Sequence, residues 1–237
     1  MPGSLLKKNA RKLIFDNALN VLLFSLLYIS LTSAVSRSAV RLSGIISFDE
    51  INSRLAAGEL PGFSIIFSNF SFFWIFLGIT MFLIQPLFDM GFLNYCLKTK
   101  REEKTSIRNF LAGFFLFRKV ISIFLITSLY IILWSILLLI PGIVASYRYR
   151  QAYYILIDDP QKSALQCISE SRLMMNGKKL DLLTIDISFL GWFALDLLLF
   201  LVTPLPFAIP VVSLWLSPYL GLTRAAFYDN TVSNVAV

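Results

Sequence analysis

Long apolar runs separated by short polar segments make up most of this chain. The clearest run, Val120 to Ile140, holds no charged residue over 21 positions. A helix needs about 20 apolar residues to cross the hydrocarbon core of a bilayer, because each residue rises ~1.5 Å across ~30 Å. The apolar stretches lie at about 14–34, 63–97, 120–140, 143–157, 180–202 and 207–228. The pattern therefore predicts an all-α, polytopic membrane helical bundle with six spans.

Two polar segments between these runs carry apolar stripes of their own. The first has apolar residues at helical spacings of three and four, namely Ile107, Phe110, Leu111, Phe114 and Phe117. In the second, Asp159-Pro160 is typical of a helix start, and Gly177 is typical of a helix end. We expect both segments to be short interfacial helices on the cytoplasmic side.

Two of the six stretches need a further argument. The run at 63–97 is too long for one straight crossing, and Gln85-Pro86 is expected to kink it. The run at 143–157, which follows a break at Pro141-Gly142, is short and polar. It either crosses inside the bundle or lies along the outer surface. Crossing puts the later lysines and arginines on the cytoplasmic side, as the positive-inside tendency prefers, so we favour crossing.

The net charge of +7 orients the chain rather than marking a nucleic-acid site. With both termini in the cytoplasm, 16 of the 21 lysines and arginines fall on that side and three fall in the outer loop. The basic residues near the start precede a run longer than the apolar core of a signal peptide, so we expect a retained first span. A single membrane domain over 1–237 is predicted.

Composition and motifs exclude most catalytic classes. Histidine is absent, and Cys96 and Cys167 have neither zinc-site nor disulfide-framework spacing. The zinc-protease, serine-hydrolase and P-loop signatures are missing. Asp158-Asp159 precedes a proline, which favours a helix cap over a metal pair. We predict a protein without enzymatic activity, metal or cofactor.

The candidate site consists of ionisable residues inside the predicted spans, where charge is costly and usually faces the bundle interior. Counted from the cytoplasmic ends, Asp89 lies ~12 Å deep, Arg148 ~14 Å, Arg150 ~11 Å and Asp186 ~9 Å. Asp196 lies nearer the outer face. The layer is either a neutral network that orders the bundle, or a polar cavity that binds an anionic headgroup, a peptide terminus or a coupling ion.

Several motifs together resemble a known family. They are I-P-G at 140–142, Y-x-x-x-Y-Y-I-L at 149–156, D-P-x-x-x-A-L at 159–165, S-x-x-x-M-x-G-x-K at 171–179, D-x-S-F-x-G-W at 186–192 and P-Y-x-x-x-x-x-A-x-F-Y at 218–228. From about Gly91 to Asn230 the chain resembles the bacterial integral-membrane family known as domain of unknown function nine-seventy-five. The resemblance implies a multi-spanning protein of the bacterial cytoplasmic membrane, distantly like the membrane domain of some glycerophosphodiester phosphodiesterases. It implies no established activity.

These observations lead to two functional expectations. The first is an accessory or scaffold that acts on membrane lipids or on a partner membrane complex such as a peptide exporter. The alternative is a small transporter or exporter with its polar site in the cytoplasmic half of the bundle. A water-accessible path through Arg148, Arg150 and Asp186 would distinguish the transporter. Expected partners are membrane lipids and either a membrane protein or a second copy of the chain, with no nucleic acid.

Overall fold

A computed structural model describes residues 3–42, 57, 72–202 and 211–233, and these ranges contain helices and no strand. The prediction of an all-α fold is confirmed for them. Twelve helices occur there: α1 Gly3–Asp16, α2 Ala18–Leu42, α3 Phe72–Lys100, α4 Ile107–Phe110, α5 Ala112–Phe115, α6 Phe117–Leu137, α7 Leu139–Arg148, α8 Ala152–Asp158, α9 Ala164–Met174, α10 Lys179–Ile187, α11 Leu190–Val202 and α12 Val211–Ser233.

The chain divides into two compact units, Met1–Ile29 with Leu87–Val237, and Ser30–Pro86. The smaller unit contains Pro86, which lies inside α3 without ending the helix. The expected kink there stays a prediction. The start of the second predicted span near residue 63, the outer loop before it and the proline turn at 204–210 lie outside the described residues.

One apolar cluster of the larger unit joins α1, α10 and α12, and Met175, the residue after α9, adds to it. Helix α1 buries Leu6, Ala10 and Ile14, which are four residues apart and share one helical face. Leu6 packs in a cluster whose other buried members are Met175, Leu182, Ile185, Phe189, Leu216, Leu220, Ala226 and Phe227. The basic tail that precedes the first predicted span is therefore an amphipathic helix packed on the bundle, which the sequence analysis did not predict.

Several predicted spans have different boundaries in the structure. The predicted span at 14–34 is not straight. The chain bends by 100° between Gly3–Asp16 and the helix that starts at Ala18, so the straight part of this span starts at Ala18 rather than at residue 14. The stretch at 143–157 is not one helix, since it is interrupted at residues 149–151. The stretch at 180–202 is likewise two helices with a break at residues 188–189.

The connection after the 120–140 run also differs from the prediction. Helix α6 ends at Leu137, Leu138 is extended, and α7 begins at Leu139, so Pro141-Gly142 lies within α7 rather than ending the previous span. Proline is tolerated in a first helical turn because its missing N–H has no partner there in any case. A Cβ on Gly142 would lie 2.1 Å from Oγ of Ser135, so α6 and α7 form a closely packed hairpin.

The two predicted interfacial helices are shorter than expected. The first is split into the single turns α4 and α5, and of its stripe only Phe110 is buried. The second begins at Ala164, where Ser163 and Gln166 form a capping box. Asp159 does not cap this helix, because its carboxylate accepts a hydrogen bond from the Gln161 N–H, at 3.0 Å, before the helix starts. Gly177 has the left-handed φ of +74° expected after a helix end.

One helix in the described part of the chain, α6, is long and apolar enough to cross a membrane. The bent pair of α1 with residues 18–32 passes the same criterion when taken together. The remaining spans of the six-span topology stay predictions.

Candidate functional site

The carboxylate of Asp186 is the centre of a polar cluster within the helices. Its Oδ1 accepts hydrogen bonds from Arg224 Nε at 3.1 Å and from Nη2 at 2.9 Å. Its Oδ2 accepts from the Tyr147 hydroxyl at 3.1 Å and lies 3.8 Å from Nη2 of Arg150. Two guanidinium groups therefore share one carboxylate, which leaves the cluster with one excess positive charge.

Helices α7, α10 and α12 and the break between α7 and α8 place these side chains. Tyr147 lies at the end of α7 and Arg150 lies in the break that follows it, where the helical path is interrupted. Asp186 lies in the last turn of α10, and Arg224 lies in the middle of α12. Arg150 and Asp186, predicted to lie in one layer, are thus brought into contact.

Asp89 lies on α3 and forms a second polar contact. Its Oδ1 accepts a hydrogen bond of 2.8 Å from the hydroxyl of Tyr28 on α2. The Tyr28 ring stacks on Phe92, with ring centroids 4.3 Å apart, so the hydroxyl is held in place by an aromatic contact one turn along α3.

A cavity of about 430 Å³ connects these two polar contacts. Its polar lining includes Tyr28, Asp89, Arg150, Gln151, Tyr154 and Arg224. The volume falls within the range of small-ligand sites, which is roughly 300–1,000 Å³. Three of the predicted site residues are therefore found at this cavity. Asp89 and Arg150 line it, and Asp186 contacts Arg150 and Arg224, the two arginines that line it.

Arg148 does not join this arrangement. Its side chain forms no ion pair with any residue in the described ranges, and its backbone carbonyl accepts a hydrogen bond from Ser171 Oγ at 2.9 Å. Arg148 is the last residue of α7 and Arg150 lies in the break that follows, and of the two only Arg150 lines the cavity. Asp196, on α11, accepts a hydrogen bond from Ser213 on α12.

A further charged cluster, which the sequence analysis did not predict, joins the ends of three helices. Arg101 binds Asp158 through Nη1 at 2.7 Å and Nη2 at 3.0 Å, and binds Asp229 through Nη2 at 2.8 Å. Tyr228 donates to Asp158 at 2.8 Å, and Lys100 lies 3.2 Å from Asp229. The hydrogen bond to Asp158 is the main reason that the pKa of Arg101 is raised.

This second cluster also clarifies Asp158. The position of Asp158-Asp159 before a proline predicts a helix cap, whereas the Asp158 side chain binds Arg101 at the end of α3. Among the described residues no group of three or more Cys, Asp or Glu side chains is arranged to hold a metal ion.

Comparison with known proteins identifies the C-terminal part of the chain. Residues 136–234 match the family model described as "Protein of unknown function (DUF975)". The match starts later than the resemblance noted from about Gly91, and it contains Arg150, Asp186 and Arg224. No curated protein and no solved structure matches the chain. Residues 136–234 are therefore similar to this family of unknown function.

Proposed function

We propose that this chain is a six-span integral protein of the bacterial cytoplasmic membrane with a non-enzymatic accessory role, acting on lipids or on a partner membrane complex. The observation that carries the proposal is the apolar surface of α6. Only 17% of its most apolar 18-residue window is buried. A core helix of a soluble protein would be mostly covered, whereas a helix facing lipid is expected to leave apolar side chains on its surface.

The exposed apolar surface continues past α6 into the next helices. Ile136, Leu137, Leu139 and Ile140 at the α6–α7 turn are each at least 68% exposed. Soluble monomers rarely expose contiguous apolar patches of this kind. The uncovered turn supports its placement in lipid, and it is the reason we retain the 143–157 stretch as membrane-embedded.

The other end of α6 has the composition of a membrane interface. Arg118 lies next to Phe117, with its guanidinium 5.9 Å from the ring, and Arg108 lies 5.9 Å from the ring of Phe115. Basic and aromatic residues together are typical of the headgroup region on the cytoplasmic side. This end therefore supports the predicted orientation with basic loops inside.

A small transporter is the second candidate, and the cavity beside Asp89 and Arg150 is the observation that favours it. A transporter needs a polar site reached by water near the membrane midplane. The accessory role requires no such path. The two candidates therefore differ in whether solutes reach the cavity.

Thiol labelling in intact cells tests the topology. Cys96 and Cys167 are replaced, and single cysteines are introduced at Ser53 in the predicted outer loop and at Ser169 on the exposed face of α9. A membrane-impermeant reagent is expected to label S53C and not S169C. Labelling of S169C from outside would mean that 143–157 does not cross, and the six-span proposal would be wrong.

The same method separates the two candidates. Ser146 and Ser217 both line the cavity. If small permeant reagents label S146C and S217C in the membrane, the cavity is wet and the transporter is favoured. Inert thiols at both positions favour the accessory role. Labelling of the S169C variant under the same conditions provides the reference rate for an exposed position.

A further inference from the structure

We infer that the cavity between Asp89 and Arg224 is a binding site for a phosphate group, held by the two guanidinium groups of Arg150 and Arg224. The inference goes beyond the proposed accessory role by naming the ligand chemistry. It rests on that proposal only for the supply of lipid headgroups, since a phosphate ion in solution would reach a site in any cytoplasm-facing protein.

The Arg150 guanidinium carries a positive charge and has N–H donors that Asp186 does not use. Arg224 uses Nε and Nη2 on Asp186, whereas Arg150 approaches the same carboxylate only to 3.8 Å and donates no hydrogen bond within the described part of the chain. Guanidinium groups carry five N–H donors in a planar fork. Most donors of Arg150 therefore stay available to an anion, and hydrogen bonds from arginine to phosphate are among the stronger ones in proteins.

Two residues other than the arginines also have buried polar atoms without a hydrogen-bond partner in the described part of the chain. Gln151 is 1% exposed and Tyr154 is 2% exposed, and both line the cavity. Gln151 Oε1 and the Tyr154 hydroxyl have no hydrogen-bond partner among the described residues. Buried polar groups are nearly always paired, because an unpaired one loses its hydrogen bonds to water without a replacement. A bound oxyanion with its hydroxyl or water would supply both partners.

The arrangement of donors favours phosphate over a carboxylate. Arg150 lies in the break before α8, Arg224 on α12 and Tyr154 on α8, so the donors come from different elements rather than from one plane. A carboxylate has two oxygens that lie in one plane. A tetrahedral phosphate has oxygens in several directions, and these can accept from donors on different helices.

Asp89 lines the same cavity as Arg150 and Arg224, so the cavity has a negatively charged side and a positively charged side. The carboxylate, held by Tyr28, repels an anion, so the phosphate is expected to bind on the arginine side. Removing this charge by Asp89→Asn keeps a hydrogen-bond acceptor for Tyr28 and is expected to tighten phosphate binding several-fold. Removing a donor by Arg150→Gln is expected to weaken it about tenfold or more.

The test uses the full chain, purified in an uncharged detergent and, separately, in phosphatidylcholine nanodiscs. In detergent, inorganic phosphate is titrated against the midpoint of thermal unfolding, with chloride at equal ionic strength as reference. In nanodiscs, phosphatidylglycerol is added in steps and the lipid retained by the protein is counted by native mass spectrometry. Stabilisation by inorganic phosphate would identify a free ion as the ligand. Retention of phosphatidylglycerol alone would identify a lipid headgroup.

Arg148→Gln is the matched control, because it removes an identical charge two residues away and outside the cavity. The inference requires R148Q to bind like the wild type, R150Q to bind more weakly and D89N to bind more tightly. Binding of neither probe, an equal loss in R148Q, or unchanged binding in both R150Q and D89N would overturn it. These results are independent of the topology labelling, so failure of this site and failure of the six-span proposal can be told apart.

Discussion

Arg224 donates two hydrogen bonds to one carboxylate oxygen of Asp186, at 3.1 and 2.9 Å, across 38 residues of sequence. The Asp186 side chain is 14% exposed and that of Arg224 is 21% exposed, so the pair is largely shielded from water. This contact fixes α12 to α10 at the wall of the cavity. The loss of either partner would leave the other charge poorly solvated.

Replacing Asp186 by Ala is therefore expected to destabilise the protein by about 3 kcal/mol, since breaking a buried pair leaves an uncompensated charge. Arg150 adds to the cost, because its nearest carboxylate also disappears. The measurement is the free energy of unfolding, or the thermal midpoint, in detergent. Asp186→Asn keeps an acceptor for Arg224 and is expected to lose less than the Ala variant.

Asp181→Asn provides the control for charge alone. Asp181 lies on the same helix, in its exposed first turn, and its loss is expected to cost only about 0.5 kcal/mol through the helix dipole. Equal stabilities of the wild type and the Asp186→Ala variant would show that the Arg224–Asp186 contact does not hold the helices together.

Part of this site could be predicted from the sequence. Depth counting along predicted spans placed Arg150 and Asp186 at a similar level, and the structure brings them to 3.8 Å. Arg224 was missed because it lies near the end of the last predicted span, where counting from the boundary assigned it to the cytoplasm. The structure extends α12 to Ser233, so Arg224 is about two and a half turns inside the helix. The different end of α12 therefore explains why Arg224 was not predicted as a partner of Asp186.

For the fold too, the features that depend on local sequence are predicted better than those that depend on contacts between distant residues. The helical content follows from apolar composition, and the fold class is correct for the described residues. Helix breaks at residues 149–151 and 188–189 have no proline to mark them, so a hydropathy pattern treats each pair of helices as one run. The buried face of α1, at Leu6, Ala10 and Ile14, is harder to predict, because basic residues lie between its apolar positions.

Replacing Arg101 by Lys is expected to lower stability by about 1 kcal/mol. Arg101 holds Asp158 with a bidentate contact and also reaches Asp229, and a lysine has a single ammonium that cannot reproduce the fork. These side chains are 19–32% exposed, so solvent screening keeps the effect small. Thermal unfolding at low and high salt measures it. Arg172→Lys, on the exposed side of α9, is the control, and an equal effect there would contradict the role of Arg101.

Replacing Gly91 by Ala is expected to destabilise the larger unit by about 3 kcal/mol, because a Cβ there would lie 1.7 Å from the carbonyl oxygen of Phe110. A backbone atom cannot move aside as a side-chain end can, so α3 and α4 would have to separate.

Gly191→Ala is the matched control. It lies in the first turn of α11 with no atom within 4 Å of the new methyl group, and alanine there is expected to stabilise by about 0.5–1 kcal/mol. Denaturant or thermal unfolding of both variants provides the comparison, and equal changes would contradict the close approach of α3 and α4.

Cys167 gives a prediction that depends on pH. Burial raises the pKa of this thiol, and the nearby Glu170 carboxylate raises it further. A raised folded-state pKa means that the folded protein keeps the proton to higher pH than the unfolded chain, so stability is full below the unfolded pKa and falls as the pH rises above it. In a Cys96→Ala background, alkylation of Cys167 is expected to be slow and to accelerate only at a pH above that of an exposed thiol.

The S169C variant, with Cys167 and Cys96 replaced, gives the reference titration on the exposed side of the same helix. Its thiol lies on the same helix as Cys167 but is exposed, whereas Cys167 is buried. Alkylation rates measured from neutral to alkaline pH should therefore place the midpoint of S169C below that of Cys167. Coinciding midpoints would mean that α9 separates readily from α6 and α8, the helices it packs against, on the timescale of the labelling reaction.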